Sequence, residues 1–271
     1  MSRRIRAGFG LVGLGGLAGL ALLVSCRAPS QPASDGVGVF LAGERAAEFH
    51  LRAADGRLLK IEIGATSGLP VAGDWDGDGR DTIGYFEPDL DAFFLSDDLG
   101  SSPQFSRIVV GWNCSACVPV AGDFGGVGAD GVGLYDPSRG LFLLRDRAVA
   151  SAPLRTVAFG EAGVPQWPVA GKFSACGEAQ LGLYDAATAT FRIHGCRASD
   201  PIRTLQVGTP GGLPVAGRWR GAEHDGVGVF EPAAGRFLLR ANLGDARDDL
   251  VVPFFYTPAV PIAGHWSIDS P

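Results

Sequence analysis

The chain has 271 residues, 46% of them apolar and 19% charged, with 41 glycines, 18 prolines and a net charge of −6. That length holds one large β domain or two small ones around a sizeable core. The acidic balance excludes a nucleic-acid partner, whose phosphates call for clustered Lys and Arg. Glycine at about twice ordinary usage, with no collagen-like period and with abundant Val, Leu and Phe, points to many short strands and tight turns.

The N-terminus reads as an address. Arg3, Arg4 and Arg6 precede an uncharged, mostly apolar run from Ala7 to Val24. The run is short and glycine-broken for a spanning helix, which needs about 20 apolar residues, so residues 1–25 are expected to be a signal peptide. Its end, Leu23-Val24-Ser25-Cys26, resembles a bacterial lipobox. The resemblance implies cleavage before Cys26, lipidation of that cysteine, and a membrane-anchored, extracytoplasmic protein of the bacterial envelope. An ordinary signal peptide with a chance cysteine is the alternative. The mature chain then holds 20 basic and 29 acidic residues, a balance of −9. Residues 26–34 form the lipidated cysteine and a short Pro/Ser/Ala tether. Arg27 departs from the aspartate that retains lipoproteins in the inner membrane of enteric bacteria, which implies the outer membrane where there is one.

From residue 35 to 271 one unit repeats. Pro-Val-Ala-Gly recurs at Pro70, Pro119, Pro168 and Pro214 and returns as Pro-Ile-Ala-Gly at Pro261, with spacings of 49, 49, 46 and 47 residues. Four short strands fill such a unit, the size of a β-propeller blade. Each first strand runs into a charged residue and an aromatic: Asp74-Trp75, Asp123-Phe124, Lys172-Phe173, Arg218-Trp219 and His265-Trp266. The small residues let inner strands crowd an axis, and the aromatic can wedge between blades. Second strands follow at Ile83-Gly84-Tyr85-Phe86 and its echoes, third strands centre on Phe93, Phe142, Phe191 and Phe237, and fourth strands alternate, as in Arg155-Thr156-Val157-Ala158-Phe159. Residues 35–63 hold a second, third and fourth strand without a first, whereas residues 261–271 hold only a first. The two fragments sum to one unit. The expected fold is therefore an all-β, five-bladed propeller closed by pairing the two ends; an open array of four and a half units would leave unpaired edges.

Val71-Ala72-Gly73-Asp74-Trp75-Asp76-Gly77-Asp78-Gly79-Arg80-Asp81-Thr82-Ile83-Gly84 resembles the bacterial VCBS/FG-GAP-like repeat, related in pattern to the integrin α-subunit propeller. That resemblance implies an extracytoplasmic propeller for adhesion or binding, often with calcium in the loop after the first strand. The loop itself points the same way: Asp74, Asp76 and Asp78 put three carboxylates within five residues, and a hard cation taking oxygen ligands relieves their repulsion. The carbonyl of Arg80 is the natural next ligand. Thr82, beside Asp81, stands where the integrin-like pattern has its closing aspartate. A solvated Asx turn is the alternative. The other loops have lost the motif, so one structural Ca²⁺ is expected.

Asp74, Asp123, Lys172, Arg218 and His265 are expected to gather where the inner strands meet one face, either as a ligand ring for a sugar or peptide or as mutual ion pairs. Four cysteines besides Cys26 suggest disulfides outside the cytoplasm. Blade topology puts Cys114 and Cys117 in a between-blade loop on one face, and Cys176 and Cys196 on the opposite face of a single blade, hence Cys114–Cys117 and Cys176–Cys196. No nucleophile elbow, phosphate loop or His-Glu-x-x-His motif is present. The sequence thus reads as a lipid-anchored binding or adhesion module, not an enzyme, with a protein or glycan partner. A carbohydrate-active propeller, lectin or hydrolase, and a structural envelope lipoprotein are the rival readings.

Overall fold

The computed structural model describes residues 34–244 and 249–268. Cys26, the signal segment and the tether up to residue 33 lie outside the described residues, as do residues 269–271. The chain opens with β1 (Gly36–Leu41), β2 (Gly43–Arg52) and β3 (Leu58–Thr66). Four strands follow in each of four blades. Blade 2 is β4 (Leu69–Gly73), β5 (Thr82–Glu87), β6 (Ala92–Leu95) and β7 (Ser106–Val109). Blade 3 is β8 (Val118–Gly122), β9 (Gly131–Asp136), β10 (Leu141–Arg145) and β11 (Leu154–Ala158). Blade 4 is β12 (Trp167–Gly171), β13 (Gln180–Asp185), β14 (Thr190–Ile193) and β15 (Arg203–Gln206). Blade 5 is β16 (Leu213–Gly217), β17 (Gly226–Glu231), β18 (Arg236–Arg240) and β19 (Leu250–Pro253).

The last strand, β20 (Val260–Gly264), pairs antiparallel with β1 from Gly36↔Gly264 to Phe40↔Val260, which completes blade 1 in the order β20-β1-β2-β3. Five four-stranded sheets result, and their inner strands touch in a closed cycle, β4 to β8, β12, β16, β20 and back to β4. The ring leaves as edges only the outermost strands, which are short or half-exposed.

Close packing explains the glycine that recurs in each second strand. A Cβ at Gly84, Gly133 or Gly228 would meet a third-strand leucine methyl at 2.5 Å, and one at Gly182 would meet Ile193 and Val169 at 2.7 Å. Only glycine lets the inner-strand valine and third-strand leucine meet over the second strand.

The aromatic after each inner strand packs between its own blade and the next. Trp75 joins Val71 and Phe86 to Val132 and Leu134, Phe124 meets Leu181 and Leu183, and Phe173 meets Val227 and Val229. Trp219 packs with Val37 and Val39, and Trp266 with Ile83. All five aromatics are buried, so the cores lie between blades and each blade depends on both neighbours.

The inner strands end two residues earlier than the motif suggests, at the glycine before the charged residue and the aromatic. The reason is a change of partner. The charged residue gives its C=O, and in four of the five units its N–H as well, to the following blade instead of its own sheet.

Candidate functional site: an axial cup

That exchange builds the site. The eighth place of each unit, counted from the charged residue, is Asp81, Asp130, Ala179, Asp225 and, across the chain ends, Asp35. Each aspartate clasps the charged residue of the preceding blade with two bonds. The Asp35 amide donates to the Arg218 carbonyl (2.7 Å), and the Arg218 amide donates to Asp35 Oδ2 (2.6 Å). Asp81 treats His265 likewise (3.2 and 2.7 Å), as does Asp130 with Asp74 (2.6 and 3.1 Å) and Asp225 with Lys172 (3.0 and 2.7 Å). Ala179 keeps only the backbone half, its amide donating to Asp123 at 2.8 Å.

The clasps converge on one cavity of about 320 Å³ at the axis, on the face carrying the loops after the first and third strands. The structure brings all five expected ring residues, Asp74, Asp123, Lys172, Arg218 and His265, to its wall, together with Asp35, Asp81, Asp130 and Asp225. Its inner end is ringed by Ala72, Ala121, Ala170, Ala216 and Ala263. Beyond them the axis is lined by valine, isoleucine and proline, with little free space. The space is a polar cup on an apolar floor rather than a pore.

Part of the ring is ion-paired, in line with the plainer expectation. Lys172 Nζ donates to Asp123 Oδ2 at 2.8 Å, which joins blade 4 to blade 3, and Arg218 Nε lies 3.6 Å from Asp225 Oδ1 within blade 5. Burial raises the Asp123 carboxyl, but Lys172 and the amides of Gly128 and Val127 outweigh it and hold the group below its ordinary value. Asp35, Asp81 and Asp130 behave oppositely. Burial pushes Asp130 up to about 8, with Asp81, Asp74 and Asp123 adding repulsion against the Asp74 amide bond. Burial likewise takes Asp35 to about 7 and Asp81 to about 6, reinforced by each other's acidic neighbours and partly offset by the Arg218 and His265 amides.

The acidic loop of blade 2 lies beside the cup. Asp74, Asp76 and Asp78 each present a carboxylate oxygen within 4.8 Å of the others. Asp74 is buried, and its carboxylate accepts from the amides of Gly77, Asp78 and Gly79 at 2.7–3.0 Å, while Asp76 and Asp78 are exposed. The remaining expected ligands face elsewhere in part. The Asp81 carboxylate holds His265 at the axis, and the Thr82 hydroxyl donates to the Gly73 carbonyl at 3.4 Å. Arg80 and Asp81 do line the groove of about 380 Å³ that the loop borders, with Asp97 and Asp98 from the turn after β6. Asp97 is pushed above its ordinary value by burial and then by Asp76, Asp74 and Asp78, so it shares their field.

The disulfides are Cys114–Cys117 and Cys176–Cys196, as topology implied. The second closes the loop after β12 onto the loop after β14, on the cup face.

Two groups were missed in the sequence reading. The eighth-place aspartates were not singled out there, although one acid recurring at one place in four units was a signal of their role. Asp97 had none, because the loop after the third strand differs in every unit.

No protein-family model and no curated protein matches this chain. Among solved structures, apo AztD from Citrobacter koseri aligns with it over 84% of this chain and 75% of its own, at 10% identity and a TM-score of 0.34, a likeness too distant to bear on the site.

Proposed function

We propose that this protein is a lipid-anchored, extracytoplasmic β-propeller that acts as a binding module, and that its axial cup receives a protein partner. The observation that carries the reading is the cup: five blades converge nine titratable side chains on one recess that opens on a single face. Pockets with a few convergent polar groups and perturbed carboxyls are the usual seats of recognition. A protein partner is favoured over a glycan because no Trp, Tyr or Phe ring lines the cup among the described residues, so sugar faces lack their usual stacking platform. One Ca²⁺ on the Asp74–Asp78 loop is part of the same proposal, as a staple with no catalytic role.

The test is a photocrosslinker placed in the full-length protein in its native envelope, at Val127 on the cup face and at Leu90 on the opposite face, both exposed. A discrete protein adduct from Val127 alone is the expected result. Adducts of equal yield from both positions would remove the cup from the reading. Saturable binding on a glycan array, lost in Arg218→Ala, would replace the protein partner with a sugar.

A further inference from the structure

The cup's charges do not cancel. Of its six aspartates, Asp123 and Asp225 have Lys172 and Arg218, and both oxygens of Asp74 are occupied by loop amides. Asp35, Asp81 and Asp130 remain. Each spends Oδ2 on the preceding blade's amide, while its Oδ1 accepts no hydrogen bond from the protein and has no ion pair among the described residues. Three carboxylates from three consecutive blades therefore line one cup, each with an oxygen that has no partner among the described residues.

The spacing selects the cation. Among the described residues, three acidic, His or Cys ligand atoms come within 4.8 Å of one another only on the Asp74–Asp78 loop and at Cys114, Cys117 and Asp136. The free cup carboxylates are thus too dispersed to form one metal ion's shell at about 2.3–2.6 Å. A single ammonium, with oxygens about 2.8 Å away on a tetrahedron, has the same short reach. A guanidinium fans five donors across a plane and is weakly hydrated, so it gives up little on entering.

We propose that the axial cup binds a guanidinium group, supplied by an arginine side chain of the partner protein or by a free guanidino compound. The proposal rests on the cup being the recognition site.

The experiment is calorimetric titration of the full-length protein in detergent with Nα-acetyl-arginine amide, Nα-acetyl-lysine amide and Nα-acetyl-citrulline amide. Saturable binding of the arginine derivative at pH 8.5 is expected. The lysine derivative should bind at least tenfold more weakly, and the uncharged citrulline isostere should not bind. Asp130→Asn keeps an oxygen for the Asp74 amide and should weaken arginine binding at least tenfold without loss of fold by circular dichroism. Lys172→Gln frees Asp123 and should strengthen it. Equal binding of arginine and citrulline, or a folded Asp130→Asn variant that binds as wild type, would overturn the proposal. If the Val127 adduct persists and Nα-acetyl-arginine amide does not compete with it, the cup stays a protein site and the guanidinium is wrong. If no Val127 adduct forms in the wild type, the recognition reading itself fails.

Discussion

Asp130 shows what one residue can do at the axis. Its amide and Oδ2 hold Asp74 of the preceding blade, yet its carboxyl stands among other acids with no cation of its own among the described residues. The folded values of about 8, 7 and 6 for Asp130, Asp35 and Asp81 lie above the ordinary 3.8. Between pH 4 and 8 the folded state keeps protons that the unfolded chain has released. Stability from these groups is therefore highest below pH 4, falls as pH rises towards 8, and levels off above it. Melting followed by fluorescence should give a lower Tm at pH 8.5 than at pH 5.5. Asp130→Asn retains the acceptor but cannot ionise, so it should melt above wild type at pH 8.5, by about 2–4 °C for each kcal/mol relieved in a domain of this size. The gap should narrow at pH 5.5. A variant melting no higher than wild type at pH 8.5 would show that Asp130 ionises there without cost.

The blades share one plan but fasten their loops differently. The registers Gly84↔Leu95 and Gly182↔Ile193 align β6 with β14, so Cys196 of blade 4 corresponds to Asp98 of blade 2, while Cys176 corresponds to Asp78 by its fifth place. Blade 4 joins these two loops with a disulfide; at the same places blade 2 gathers Asp76, Asp78, Asp97 and Asp98. A cation between carboxylates would do there what the disulfide does in blade 4. Calcium should therefore raise the Tm of the full-length protein. At ten times its Kd the stabilisation is about 1.4 kcal/mol, or about 3–6 °C. Asp78→Asn should abolish the shift and leave the calcium-free Tm nearly unchanged. A calcium shift that survives in Asp78→Asn would place the ion elsewhere. The strands and disulfides were legible in the sequence because a unit of 46–49 residues fixes where each strand and each face falls. The charged ring was legible for the same reason. The clasps were not, since they join the eighth place of one unit to the first place of another, and that pairing exists only once the blades stand side by side. Asp97 was hidden because its neighbours lie across a hairpin, with no repeat partner to mark it.

At the scale of the whole molecule, closure is the device on which the rest depends. The strand β20 gives β1 its partner, His265 gives Asp81 its clasp, and Trp266 packs with Ile83 of blade 2. These ten or so residues come from the far end of the chain and seal both sides of blade 1. Because every hydrophobic core lies between two blades, opening one junction exposes an apolar blade face on either side of the gap and frees the edge of β1 for pairing with other chains. The loss should far exceed that of Trp266→Ala alone, for which large-to-small changes in cores predict about 3–5 kcal/mol. A chain ending at residue 259 is thus expected to lose its cooperative melt and to aggregate, whereas one ending at residue 268 should melt as wild type. A synthetic peptide of residues 258–268, added to the shortened chain during refolding, should restore the transition by supplying β20, His265 and Trp266 in trans. A shortened chain that stays monomeric and melts cooperatively near the wild-type temperature would mean that four and a half blades stand as an open array, and that the cup does not need its fifth wall.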